Sequence, residues 1–528
     1  MPPRNYNPLN KNFEAFVNHM RDEFKTPGMA IAVVHCDQTW SAGYGYADLE
    51  TKDPVTSQTL FYAGSTTKSF TAAIVSKLVY AEDKTRFGDI KWTTPLAELI
   101  PDDFILQDSY ASQHTNFIDA LCHRTGMPRH DYSWINGFSN ARDLTRSLRH
   151  LPSLGEGKFR AVHHYNNVMY TAVMHATEYV TGKSFSESLR LWIWEPLGID
   201  STTFALEDSL KLVEKNPKIN MARGYVLDEI TGVPIPCDRE SFPPGTGAGG
   251  NITNVLDYIK WIRAFLHPDF ETHNPNGTIS PKAVAEMTEG RISLPRDSRS
   301  PFTGQKSYGL GLEMSIYRGH EIIGHEGAIA GYLAGMYWIP ALDWGVVIFQ
   351  NSYQFSWWPV VWRLIDDFLD TPESQRYDAL GAVRSMNQKT DVVSANIRAK
   401  LYPDSPNKAE VQPALNLEEY TGIYEHPAYQ TLTVLILPPD DDYVREYIND
   451  GSLRLYVAPS EKSYNDLRIS LHHVNGEHWF AQVTLGPGKK KSANTVKAKF
   501  EVGASGKVER MGLQLEKTIT DFIWFNKK

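Results

Sequence analysis

Ser65 and Lys68 stand three residues apart in the stretch Phe61-Tyr62-Ala63-Gly64-Ser65-Thr66-Thr67-Lys68-Ser69-Phe70. Apolar residues then recur at Phe70, Ile74 and Leu78, the four-residue spacing of one helical face. The spacing predicts a helix that Ser65 opens, with the Lys68 side chain on the same face one turn on, roughly 5 Å along the axis. A serine hydroxyl is a weak nucleophile until a neighbouring base takes its proton. A lysine serves as that base near neutral pH only when desolvation and positive potential, such as that of a helix N-terminus, disfavour its ammonium form. The pair therefore predicts an acyl-serine nucleophile carrying its own base. The pattern by itself is cheap: Ser405-Pro406-Asn407-Lys408 repeats it in a polar stretch that reads as a solvated linker.

Two further stretches supply what such a pair lacks. Tyr165, in His163-His164-Tyr165-Asn166-Asn167, precedes a helical stripe at Val168, Ala172, Val173 and Ala176. A phenolic oxygen beside an ammonium is expected to shift toward its anion and to move a proton between nucleophile, leaving group and water. Asn167 is placed to hydrogen-bond a substrate amide. Gly324-His325-Glu326-Gly327-Ala328 reads as the end of a strand, where glycines bring backbone close to a ligand. There the Ala328 N–H can join that of Ser65 as an oxyanion hole. His320 to His325 approaches the His-Glu-x-x-His zinc signature but has one residue too many, which takes the histidines off a common helical face. No metal is expected.

The elements that must position these groups follow from periodicity. An apolar stripe from Phe13 to Phe24 predicts a first helix, and Met29 to Val34 with Trp40 to Tyr46 predict a hairpin. A mostly helical stretch runs to about Leu266; strand patterns return near Tyr308 and continue to Gln350, before a helix from Trp357 to Phe368. An α+β domain is implied, with one antiparallel sheet completed by both ends and a helical insertion between them. Residues 371–416 read as a linker. From Leu417, short strand-like runs separated by Gly, Pro, Asp and Asn predict an all-β sheet or small barrel. The expected domains are 1–370, the linker 371–416, and 417–528.

The 528 residues carry a net charge of −9, so no basic footprint for nucleic acid exists; the run Lys489 to Lys491 reads as a solvated turn. The 3 cysteines are too few for a disulfide framework. Without an apolar signal segment or a bilayer-length apolar run, a cytoplasmic protein with no membrane partner is expected.

Taken in order, these stretches resemble the serine β-lactamase and penicillin-binding-protein superfamily, which carries Ser-x-x-Lys. The resemblance is closest to the class C-like branch of esterases, D-aminopeptidases and acyltransferases, which has Tyr-x-Asn (here Tyr165 to Asn167) and often His-x-Gly for Lys-Thr-Gly (here His325 to Gly327). Thr26-Pro27-Gly28-Met29, His123-Arg124-Thr125-Gly126-Met127-Pro128 and Tyr308-Gly309-Leu310-Gly311 also resemble it. The tail from Leu417 is similar to the lipocalin-like domain some members append. The resemblance implies Ser65 as nucleophile, Lys68 as base and Tyr165 as proton shuttle. It also implies Asn167 and His325 on the substrate side, Gly327 and Ala328 at the oxyanion wall, and no cofactor. The implied activity is hydrolysis of an ester or amide of a small molecule or short peptide. Acyl transfer or peptide cyclisation uses the same residues, and a catalytically silent binder or scaffold keeps the same fold. Homo-oligomerisation is left open.

Overall fold

In the computed structural model, residues 7–81, 88–241, 246–269, 271–296, 300–395, 397–405, 409–437, 454–458, 460, 463–464, 466–487 and 494–528 are described. Pro406 to Lys408, Lys489 to Lys491 and Leu453, where one of the expected strand-like runs of the tail starts, lie outside them.

Gly28–His35 is apolar at almost every position because both faces of the sheet are covered. Met29, Ile31 and Val33 face a cluster with Phe13, Val17, Val360 and Leu364 of the helices Lys11–Glu23 and Trp357–Phe368. Ala30, Ala32 and Val34 face the larger cluster containing Phe70, Ile74 and Trp261. The antiparallel sheet has 8 strands. Gln38–Gly45, Gly28–His35, Trp344–Gln350, Tyr332–Ile339 and His320–Ile329 are followed by Glu313–Tyr317, Thr303–Tyr308 and the short edge Ile292–Ser293. The N-terminal hairpin thus joins the C-terminal strands through the register Met29↔Gln350, as the α+β reading requires.

The helix Lys68–Val79 is buried on nearly all sides, with Phe70 stacked 4.2 Å from Trp261 between ring centroids. It is the central post of the helical part. The 371–416 segment is not an open chain: it holds the helix Ala379–Ala395, whose Ala379 and Val383 are buried in the cluster of the two terminal helices.

Beyond it, the eight strands Gly422–His426, Gln430–Leu437, Arg454–Val457, Arg468–Asn475, His478–Thr484, Asn494–Val502, Val508–Leu513 and Ile523–Lys527 form a closed barrel, each antiparallel to the next. Tyr424↔Lys527 and Glu425↔Asn526 close it. Sequence periodicity anticipates the middle strands and misses the first and last, which are short and carry Glu425, His426 and Asn526. The larger core cluster runs on into the barrel through Tyr420, Tyr424 and Phe500. Among the described residues no helix is long and apolar enough to cross a membrane.

Candidate active site

Ser65 lies in a 3-10 turn, Gly64–Thr67, that leads directly into the helix starting at Lys68. This differs slightly from an α-helix opened by Ser65. In a 3-10 turn, side chains three apart eclipse, and Lys68 Nζ stands 3.1 Å from Ser65 Oγ. Gly64 adopts φ +54°, and a Cβ there would lie 2.8 Å from the Ala328 amide nitrogen. A Cβ on Gly327 would lie 2.1 Å from the Ala63 carbonyl oxygen. Both glycines are needed for the serine turn to lie against the strand His320–Ile329. Gly324 to Ala328 lies in the later part of that strand, stopping one residue short of its end at Ile329.

Lys68 is 0% exposed. Besides Ser65 Oγ, its Nζ donates to Asn167 Oδ1 at 2.8 Å and to the Ala248 carbonyl at 2.8 Å. Two of the three partners are therefore pure acceptors. A neutral amine gives its two N–H bonds to them and turns its lone pair toward the serine hydroxyl. Burial first, and then the charge of Arg129, hold Lys68 well below the ordinary lysine range, while Asp131 acts in the opposite sense.

Asn167, expected on the substrate side, has both ends of its amide engaged by protein: Oδ1 by Lys68, and Nδ2 by Asp131 Oδ1 at 3.0 Å. Asn166 caps the helix Asn167–Thr181 by accepting from Met169 N–H, which fixes where Asn167 enters. Tyr165, just ahead of the cap, lies beside the Ser65 hydroxyl, with Lys68 Nζ 4.8 Å from its ring centre. The expected shift of Tyr165 toward its anion is not found. Burial raises its pKa above the ordinary phenol value and outweighs the opposing effects of Ser65 and Arg129, so it is a neutral phenol near pH 7.

His325 is 4% exposed. Its Nδ1 lies against the Glu326 carbonyl, which only accepts; Nδ1 therefore carries the proton, and Nε2 accepts from Tyr308 OH at 2.8 Å. Burial lowers its pKa to about 4 despite the opposing charge of Glu313, leaving a neutral ring whose nitrogens are both used by protein.

Sequence reasoning passed over Arg129 and Ala248. The Arg129 guanidinium lies 4.8 Å from the centre of the Tyr165 ring, and its Nε donates to Asp131 Oδ2 at 2.6 Å. A cation next to the Met127-Pro128 stretch was the available signal for Arg129. Ala248 acts through its backbone and left none. His123 packs 4.2 Å from Tyr165 between ring centroids and accepts from Asn166 N–H at 3.0 Å.

A cleft of about 1100 Å³ opens over Ser65. The loop residues Asp131, Tyr132 and Trp134 line it. So do Tyr464, Asn494, Glu516 and Lys517 of the barrel. Among the described residues no group of His, Cys, Asp and Glu is arranged to hold a metal ion.

Residues 13–367 match the family model described as Beta-lactamase, and residues 406–527 match a domain of unknown function (DUF3471). An unguisins hydrolase of Aspergillus violaceofuscus is 32% identical over 98% of this chain and 89% of its own length. A D-aminopeptidase of Gluconobacter oxydans is 25% identical over 64% of this chain and 58% of its own. Among solved structures, the octameric penicillin-binding protein homologue from Pyrococcus abyssi superposes with a TM-score of 0.59, covering 98% of this chain and 99% of that one. At 20% identity that likeness is one of fold.

Proposed function

The chain belongs to the β-lactamase family, and from that premise we propose that it is a serine hydrolase acting on an ester or amide of a small molecule or short peptide through an acyl-Ser65 intermediate. The observation that carries this reading is the surround of Lys68. Two carbonyl-type acceptors and one hydroxyl around a fully buried nitrogen suit a neutral amine aimed at the nucleophile.

In acylation, Lys68 takes the Ser65 proton as Oγ bonds to the substrate carbonyl carbon, and the developing oxyanion is received by the N–H groups of Ser65 and Ala328. Tyr165, a neutral phenol beside Ser65, hands a proton to the leaving alcohol or amine as the scissile bond breaks. The proton on Lys68 then passes to the Tyr165 phenolate. Water attacks the acyl carbonyl carbon as Lys68 takes its proton, and the acyl C–Oγ bond breaks as Tyr165 protonates Ser65 Oγ. Lys68 finally returns its proton to Tyr165, which restores the free serine, neutral amine and neutral phenol. Asn167, itself held by Asp131, keeps Lys68 in place, and Arg129 keeps positive potential near it.

One relative is named as a hydrolase and another as a peptidase, which supports water as acceptor over transfer to a different nucleophile. The three free cysteines support a reducing compartment such as the cytoplasm. The test is labelling by a fluorophosphonate probe, with turnover of nitrophenyl esters and of D- and L-aminoacyl anilides. Wild type is expected to label and turn over, and Ser65→Ala to do neither. An unlabelled wild type, or turnover that survives Ser65→Ala, overturns the reading.

A further inference from the structure

Glu326 sits in the cleft without a part in the chemistry just described. Along His320–Ile329 the pleat buries His325, Gly327 and Ile329 and leaves Glu326 and Ala328 exposed, and both of these line the cavity over Ser65. Positions two apart on a strand are separated by about 7 Å. The Glu326 carboxylate therefore lies within reach of groups flanking a carbonyl held at the Ala328 amide.

Its charge is poorly offset. Among the described residues the carboxylate accepts one hydrogen bond, from Tyr337 OH at 3.2 Å, and makes no ion pair. Lys306, whose charge acts on Glu326, is paired with Glu313. His325 is neutral for the reasons given above. This wall thus sets two carboxylates against one ammonium. Where the family pattern reads Lys-Thr-Gly, this chain reads His325-Glu326-Gly327, and the cation is replaced by a neutral ring followed by an acid.

We propose that Glu326 is a specificity-determining residue that turns away substrates with a carboxylate beside the scissile bond and favours esters and amides that are neutral or amine-bearing there. Internal or blocked peptide bonds would be accepted, and β-lactams or carboxy-terminal peptide bonds refused. The proposal rests on Ser65 being the nucleophile.

Two substrate pairs, matched except for charge, test it. One compares an acyl anilide of 3-aminobenzamide with that of 3-aminobenzoate; the other compares N-acetyl and N-succinyl forms of one aminoacyl nitroanilide. Wild type is expected to prefer the neutral member of at least one pair by about tenfold in kcat/KM. That is the order expected for like charges about 7 Å apart at an effective dielectric between that of a protein surface and that of water. Glu326→Gln and Glu326→Ala should bring the ratio near unity, and Glu326→Lys should reverse it. A residue that merely supported the fold would lower both members together. Equal kcat/KM for both pairs in wild type, or a ratio unchanged by Glu326→Gln, overturns the proposal. Loss of fluorophosphonate labelling in wild type would instead indict the nucleophile assignment.

Discussion

The cleft has two walls of different construction. On the hydrolase side, Lys68 Nζ ties Ser65 to Asn167 through hydrogen bonds and sits over the Tyr165 ring, and burial moves the ionisation of Lys68 and Tyr165. On the barrel side, Asn494, Glu516 and Lys517 sit in strand ends and loops. The barrel nevertheless grips one segment of the hydrolase repeatedly. Glu516 Oε2 accepts from His130 N–H at 3.0 Å, and Tyr429 OH meets His130 Nδ1 at 2.7 Å. Asn136 Nδ2 donates to the Tyr429 carbonyl at 2.8 Å, and Tyr464 N–H donates to the Ile135 carbonyl at 2.7 Å. That segment begins with Arg129 and Asp131, which hold Tyr165 and Asn167. The proposed chemistry lies in one wall, and the second wall braces the segment set against it.

The comparison breaks most sharply if chemistry survives in the absence of the first wall. Ser65→Ala and Lys68→Ala should each lower kcat by about 10,000-fold or more, because nucleophile and base act as one unit. Single-turnover assays with a nitrophenyl ester check this. The pH profile follows from the same residue. Protonated Lys68 has no lone pair, so kcat/KM falls as pH drops through its lowered pKa. The ascending limb should lie well below the ordinary lysine value of 10.5. A limb near that value would deny Lys68 its role. Tyr165→Phe removes only the proton relay and should cost about 100- to 1,000-fold in kcat, with a smaller loss for substrates whose leaving group needs no proton.

The two walls also differ in how far the sequence discloses them. Ser65 and Lys68 are legible because one local turn brings them together, and Tyr165 and Asn167 because a helix entrance follows a recognisable triplet. The near-continuous apolar run of Gly28–His35, buried on both faces, likewise declares the sheet. What spacing does not encode is a partner brought from far along the chain through its backbone, such as the Ala248 carbonyl. Nor does it encode the reversal of an expected shift by burial, as at Tyr165. Asn167 and His325, expected on the substrate side, do line the cleft, but spacing gave no sign of the tertiary neighbours that engage their polar atoms. The barrel wall was illegible as a wall, because Asn494 and Glu516 read as ordinary surface residues until the barrel is set against the 130–136 segment.

A substitution on the barrel side that disturbs the first wall from a distance sharpens the comparison. Glu516→Gln replaces a charged acceptor of the buried His130 N–H by a neutral amide, and Glu516→Ala removes it. Leaving that donor unsatisfied should cost about 1–3 kcal/mol of stability, read by denaturant unfolding. Loosening the segment that carries Arg129 and Asp131 should lower kcat/KM by about tenfold in Glu516→Ala, while fluorophosphonate still labels Ser65. If activity falls by the same factor for every substrate and kcat carries the loss, the barrel acts through the machinery. If KM carries it and the factor varies among substrates, Glu516 acts by contact with the substrate.

The smallest effect belongs to the rim. Asn494 Nδ2 donates to Tyr132 OH at 2.7 Å, a bond between a barrel strand end and a cleft-lining tyrosine. Tyr132 is hydrogen-bonded but lies outside the chain of contacts from Arg129 through Asp131 and Asn167 to Lys68. Asn494→Ala removes one net hydrogen bond, about 1 kcal/mol, with solvent in the open cleft able to replace it. Stability should fall by no more than that, kcat should stay within about twofold, and KM should shift a few-fold for bulky substrates alone. A loss in Asn494→Ala as large as that in Glu516→Ala would mean that the two walls are coupled throughout rather than at the 130–136 segment.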